Sequence, residues 1–119
     1  MKAELVHVFE SHGLRCAIRI CGMGTGVIDP WYCGYVESPD NFVTPSKDSD
    51  DWLHCHGGVT FEREAPPDKS IPAIAGRTWY GFDCGHAGDN MAEQNETYVR
   101  AQCEHMAAQI STLAKQVYP

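Results

Sequence analysis

Over Leu14-Arg15-Cys16-Ala17-Ile18-Arg19-Ile20 the apolar positions recur at every second residue, with Leu14, Cys16, Ile18 and Ile20 on one side and Arg15, Ala17 and Arg19 on the other. That period predicts a strand with one face in a core and two guanidinium groups outside it. Residues 4–10 alternate in the same way, with Leu5 out of phase, and Ser11-His12-Gly13 supplies the turn of a hairpin between the two runs. A third, aromatic strand is predicted over residues 31–36, where Gly34 marks a bulge or a close backbone approach. Residues 59–62 read as a short strand, and residues 78–82 as a strand of alternating large side chains. After Asp89 the period lengthens. Val99, Cys103, Met106, Ile110, Leu113 and Val117 recur at steps of three and four, which predicts a helix over about 93–117, capped by Asp89 or Asn90 and carrying Arg100, Glu104, Gln109 and Lys115 on its solvent side.

One long amphipathic helix must bury its stripe, and an antiparallel sheet is the available partner. The expected architecture is α+β: an antiparallel sheet of about four to five strands packed against one long C-terminal helix, in a single domain spanning 1–119. Between these elements, residues 38–51 and the proline-rich link 64–73 have loop composition. The alternating glycines Gly22, Gly24 and Gly26 lead into Val27-Ile28-Asp29-Pro30 and not into a helix or a Gly-Lys-Ser/Thr ending, so they read as a turn and not as a phosphate loop.

Composition narrows the function. Nine Lys plus Arg against sixteen Asp plus Glu give a formal charge of −7, which repels a polyphosphate backbone and argues against nucleic-acid polymers as partners. No apolar run approaches the roughly twenty residues of a membrane span. The first residues, with an early acid and histidine, lack the pattern of an export signal, so the expected location is cytoplasmic. In that setting the six cysteines are expected to be reduced and mostly buried, and without a Cys-x-x-Cys spacing a finger-type zinc site is not expected.

The candidate chemistry sits in two glycine-bearing loops. One is His54-Cys55-His56-Gly57-Gly58-Val59-Thr60, and the other is Asp83-Cys84-Gly85-His86-Ala87-Gly88-Asp89, which follows the aromatic strand directly. If the loops meet, His56, Asp83, His86 and Asp89 form a donor set suited to a divalent metal such as Zn or Mn. Without a metal the same residues supply a general base and its orienting carboxylate. The structural alternative is that Asp83 caps a turn, Asp89 caps the helix and Gly57-Gly58 closes a hairpin. His7, His12 and His105 are expected at the surface. Cys55 and Cys84 each neighbour a histidine, but adjacent residues of a strand point to opposite faces, so buried thiols are expected and not nucleophiles. For a ligand pocket the expected lining is His56, Gly57, Gly58, Thr60, Arg77, Asp83, His86 and Asp89. Guanidinium groups and nearby aromatic faces suit a nucleotide-like anion, although Trp31 and Trp79 read more readily as core.

The segments His56-Gly57-Gly58-Val59-Thr60-Phe61 and Gly81-Phe82-Asp83-Cys84-Gly85-His86-Ala87-Gly88-Asp89, preceded by Cys33-Gly34-Tyr35-Val36, resemble a family of small proteins encoded by bacteriophages and prophages. The likeness spans about residues 30–117 and implies no catalytic role. It implies a phage accessory protein acting inside the bacterial host, where sequestering a nucleotide immune signal or binding a host defence protein are the natural roles. Three functional expectations follow: a binding module for a small nucleotide-like ligand, a metal-dependent hydrolase using the same His/Asp cluster, and an inhibitor that blocks a host protein by surface contact. An aromatic sheet backed by one helix also leaves an apolar face that a second copy can cover, making a homo-oligomer an expected assembly.

Overall fold

The computed structural model describes residues 2–23 and 29–117, without the side chains of Lys2, Met23 and Val117. The sequence period of two becomes five strands, β1 (Lys2–Ser11), β2 (Leu14–Met23), β3 (Trp31–Glu37), β4 (Phe61–Arg63) and β5 (Trp79–Asp83), and the longer period becomes one helix, α1 (Glu96–Val117). The strands form one antiparallel sheet in the order β1-β2-β3-β5-β4, as the α+β reading expects. No described helix is long and apolar enough to cross a membrane. The glycines from Gly24 onward in the predicted turn lie outside the described residues.

The β1–β2 hairpin turns on His12 and Gly13, whose φ values of 53° and 76° are those of a two-residue turn matched to strand twist. Leu5 is out of phase for a physical reason: the β1–β2 register shifts between Leu5 and His7, a bulge that turns the outer strand over. Leu5 therefore packs on one face of the sheet and Phe9 on the other.

On the first face, Leu14, Cys16, Ile18, Val36, Tyr80 and Phe82 meet Val99, Cys103, Met106, Ala107 and Ile110 of α1, all buried. Burying a side chain of this kind contributes roughly 1.5–3 kcal/mol, so this contact is the main hydrophobic support of the fold. Gly34 permits it. A β-carbon there would fall 2.6 Å from the Phe82 ring and 2.7 Å from Cys103 Sγ, so the glycine marks the close approach of β3 to the helix.

The second face corrects the expectation that Arg15 and Arg19 look out to solvent. Ala17, Cys21, Cys33, Tyr35 and Trp79 form a second buried cluster, closed by Ile71 from the proline-rich link. Arg15 and Arg19 donate hydrogen bonds to the carbonyls of Pro72 and Pro67, tying that link down over the sheet. The fully buried carboxylate of Glu37 receives Arg15 at 2.6 Å and Arg77 at 3.3 Å. The helix also starts later than its sequence period suggests. Asn95 accepts from the Tyr98 amide as the cap, while Asn90 caps a separate turn by accepting from the Glu93 amide. Arg100, expected on the solvent side of the helix, instead turns toward β1: it is half-buried, its guanidinium 4.1 Å from the centre of the Phe9 ring.

Candidate functional site

The two glycine-bearing loops meet at one end of the sheet, beside the first turns of α1. The His56 and His86 rings are 5.7 Å apart between centroids, and Asp89 lies between them. Its carboxylate stands 3.0 Å from His56 Nε2 through both oxygens and 2.9 Å from His86 Nδ1. The loop that carries His86 and Asp89 is closed on itself: the Asp89 amide donates to the His86 carbonyl, and the His86 amide donates back to Asp89 Oδ2. Burial pushes the Asp89 carboxyl upward, but the hydrogen bonds from His56, from the His86 ring and from the His86 amide outweigh it and hold the group below the usual carboxylate range.

The His56 imidazole is anchored at its far nitrogen, and the far nitrogen of His86 has only a longer approach to a carboxylate. His56 Nδ1 lies 2.7 Å from the Tyr98 hydroxyl, and His86 Nε2 lies 3.8 Å from Asp83 Oδ1. Burial first, then the charges of Cys84 and Asp89, raise the pKa of Tyr98, which keeps its hydroxyl protonated. The helix also fixes the first loop by its backbone. Gln102 accepts from the His56 amide, and Gln109, seven residues further on, both accepts from the His54 amide and donates to its carbonyl.

Of the expected site residues, His56, Gly57, His86 and Asp89 come together. Gly57, at φ 71°, lies directly against the His86 ring. Gly58, at φ 85°, shapes the loop, and the following amide of Val59 is held by Asp50 Oδ1. Asp83 caps a turn through the Gly85 amide and touches the cluster only by way of His86. Thr60 is exposed, donates its amide to the Gly81 carbonyl and lines a separate cleft. Arg77 stands before the opposite end of β5, engaged by Glu37 and Asp40, about 20 Å of extended chain from Asp83. Asp89 does not cap the helix, because its oxygens are taken by the histidines and the His86 amide. Tyr98 and Gln102, absent from the sequence expectation, sit four residues apart beside the apolar stripe of α1. That spacing on one helix face was the available signal.

The cluster opens on a cleft of about 730 Å3 lined by Trp31, Gly85, His86, Asn90, Met91 and Gln94, with Asp29 at its rim. No Lys or Arg is among the described residues of that lining. Trp31 lies flat over Gly85, where a β-carbon would fall 2.9–3.1 Å from the indole.

One ligand atom from each of His56, His86 and Asp89 can be chosen so that all lie within 4.8 Å of one another, which suits a shared cation. Two histidines and a carboxylate leave a tetrahedral zinc ion with one open position. Without a metal, Asp89 orients either imidazole as a general base. Cys84 is buried and its thiol is pushed up to about 12 by that burial and by Asp89 and Asp83, so it is not a poised nucleophile. Comparison of this chain with protein-family models, with curated proteins and with solved structures gives no match.

Proposed function

We propose that the protein holds a divalent cation of the zinc or manganese class at His56, His86 and Asp89, and uses its open side to bind a small nucleotide-like anion in the adjoining cleft. The observation that carries the reading is the wiring of the two imidazoles: each turns one nitrogen to Asp89, and the other nitrogen of His56 is hydrogen-bonded to Tyr98 while that of His86 lies 3.8 Å from the Asp83 carboxylate. Metal-ligating histidines are held in this way, because the outer partner fixes the ring and the tautomer. His56 would hold the ion through Nε2, leaving its Nδ1–H to donate to the Tyr98 oxygen. The cleft's described side chains carry no cationic group for phosphate, and the metal supplies that charge. The Trp31 ring offers a flat face for a base. The chemistry such an ion would supply is acidification of a water, and so hydrolysis of the bound ligand.

The test is titration of metal-free protein with Zn(II) and Mn(II), followed by a nucleotide panel read by thermal shift with and without the ion. One equivalent of metal per chain, lost in His86→Ala and in Asp89→Ala, is the expected result. Ligand recovered intact after denaturation would indicate storage, and cleaved ligand hydrolysis. Because the chain holds six thiols, stoichiometric metal retained by both variants would place the ion elsewhere and overturn the reading.

A further inference from the structure

A second reactive feature lies on the sheet face away from α1. Cys21, at the end of the β2–β3 ladder, and Cys33 of β3 have their sulfurs 3.1 Å apart. All six cysteines are free thiols, and the other four belong to the helix side of the sheet. Each of the two residues is only 5% exposed, and the pair lines a cleft of about 330 Å3 together with Arg19, Trp31, Tyr35 and Asp83, the side from which a small solute would approach. We propose that Cys21 and Cys33 are an oxidisable dithiol that hydrogen peroxide closes to an intrachain disulfide.

The electrostatics favour Cys21 as the attacking group. The hydrogen bond from Cys33 brings the Cys21 thiol down to about 7 against the opposing effect of burial, with Arg19 assisting. The same contact, with burial, raises Cys33. The Cys21 thiolate attacks one peroxide oxygen: an S–O bond forms, the O–O bond breaks and hydroxide leaves as water after taking a proton. The Cys33 sulfur then attacks Cys21 sulfur. The S–S bond forms, the S–O bond breaks, and the departing hydroxide takes the Cys33 proton. Two thiols lose two electrons and two protons, and one peroxide becomes two waters.

Closure to an S–S bond of about 2.05 Å asks the sulfurs to approach by roughly 1 Å. Cys21 pairs with Trp31 and Cys33 with Arg19, so the two are diagonal neighbours and not directly opposed. The ladder to β3 stops at Cys21, while β2 runs on to Met23 beside β1 through a register shift at Gly22, whose φ is 78°, so closure draws on the Cys21 side that β3 no longer holds.

The inference is independent of the metal reading and is tested on metal-free full-length protein. Peroxide is added in small excess, the reaction is quenched by alkylation, and peptides are mapped by mass. The expected product is a Cys21–Cys33 cross-link, formed before the other four thiols change and reversed by dithiothreitol. Cys33→Ser should leave Cys21 as a sulfenic acid trapped by dimedone. Cross-links between other cysteines, oxidation of Cys21 or Cys33 without a cross-link, or a pair that stays reduced while Cys55 or Cys84 is modified would each overturn it. Mapping the unaltered chain decides the matter even if the variant fails to fold.

Discussion

The His86 imidazole rests against Gly57, so that a β-carbon on that glycine would fall 2.9 Å from Nε2 and closer still to Cε1. Gly57 is also at φ 71°, where an L side chain costs about 1–2 kcal/mol. Gly57→Ala is therefore expected to lower stability by that amount in urea unfolding and, in addition, to push His86 off Asp89. Gly76→Ala is the control: its φ of 81° carries the same backbone cost, but a β-carbon there meets nothing within 4 Å. If both variants bind zinc equally well, the steric coupling between Gly57 and the site is not real.

Removing the Tyr98 hydroxyl takes away the outer anchor of His56 without touching a proposed ligand. Tyr98→Phe should weaken zinc binding by about tenfold or more, in the range seen when such anchors are lost. Calorimetric titration measures this, and an unchanged affinity would mean that His56 is held in place by other contacts.

Glu37 is 1% exposed and is neutralised by two arginines that each reach partly into solvent. The asymmetry decides what mutation does. Arg15→Ala with Arg77→Ala strands a buried carboxylate and should cost about 3 kcal/mol or more, whereas Glu37→Gln frees groups that water can reach and should cost clearly less. Equal losses in denaturant melts would contradict this.

The thiols should separate by pH. With Cys21 at about 7 and Cys55 and Cys84 near 12, alkylation of Cys21 by iodoacetamide should rise as pH passes through about 7 and level off above it. Below that pH the thiolate is protonated and the rate falls tenfold per unit. Cys55 and Cys84 should stay slow throughout. Mass mapping of labelled peptides over pH 5–9 reads the profile.

The elements with an unbroken period were visible in the sequence. Leu14, Cys16 and Ile18 gave β2 its inner face, and Val99, Cys103, Met106 and Ile110 gave the helix its stripe. The meeting of the two glycine-bearing loops was legible because both follow or precede strands that the sheet makes neighbours, β5 and β4. The cover of the second face was not. Residues 64–73 have no period, and what holds them is the burial of Pro67 and Ile71 and the carbonyls taken by Arg15 and Arg19, contacts that composition does not encode. Arg77 looked like a ligand group for want of its partner, since the burial of Glu37 cannot be read from a charged letter at a strand end. The helix side of the site was missed for a similar reason: nothing in the period of α1 marks Tyr98 and Gln102 as the residues on which the first loop lies.

The contact between His56 and Tyr98 closes 42 residues of chain, and that between His56 and Asp89 closes 33. Local order cannot form either one. The donor set is therefore assembled by the tertiary fold, and a chain still emerging from the ribosome has the letters of the site without its geometry. Capture of the proposed ion would thus wait on folding, and a truncation that removes the helix, and with it the Tyr98 and Gln102 supports of the first loop, should weaken the site while leaving every proposed ligand in the polypeptide.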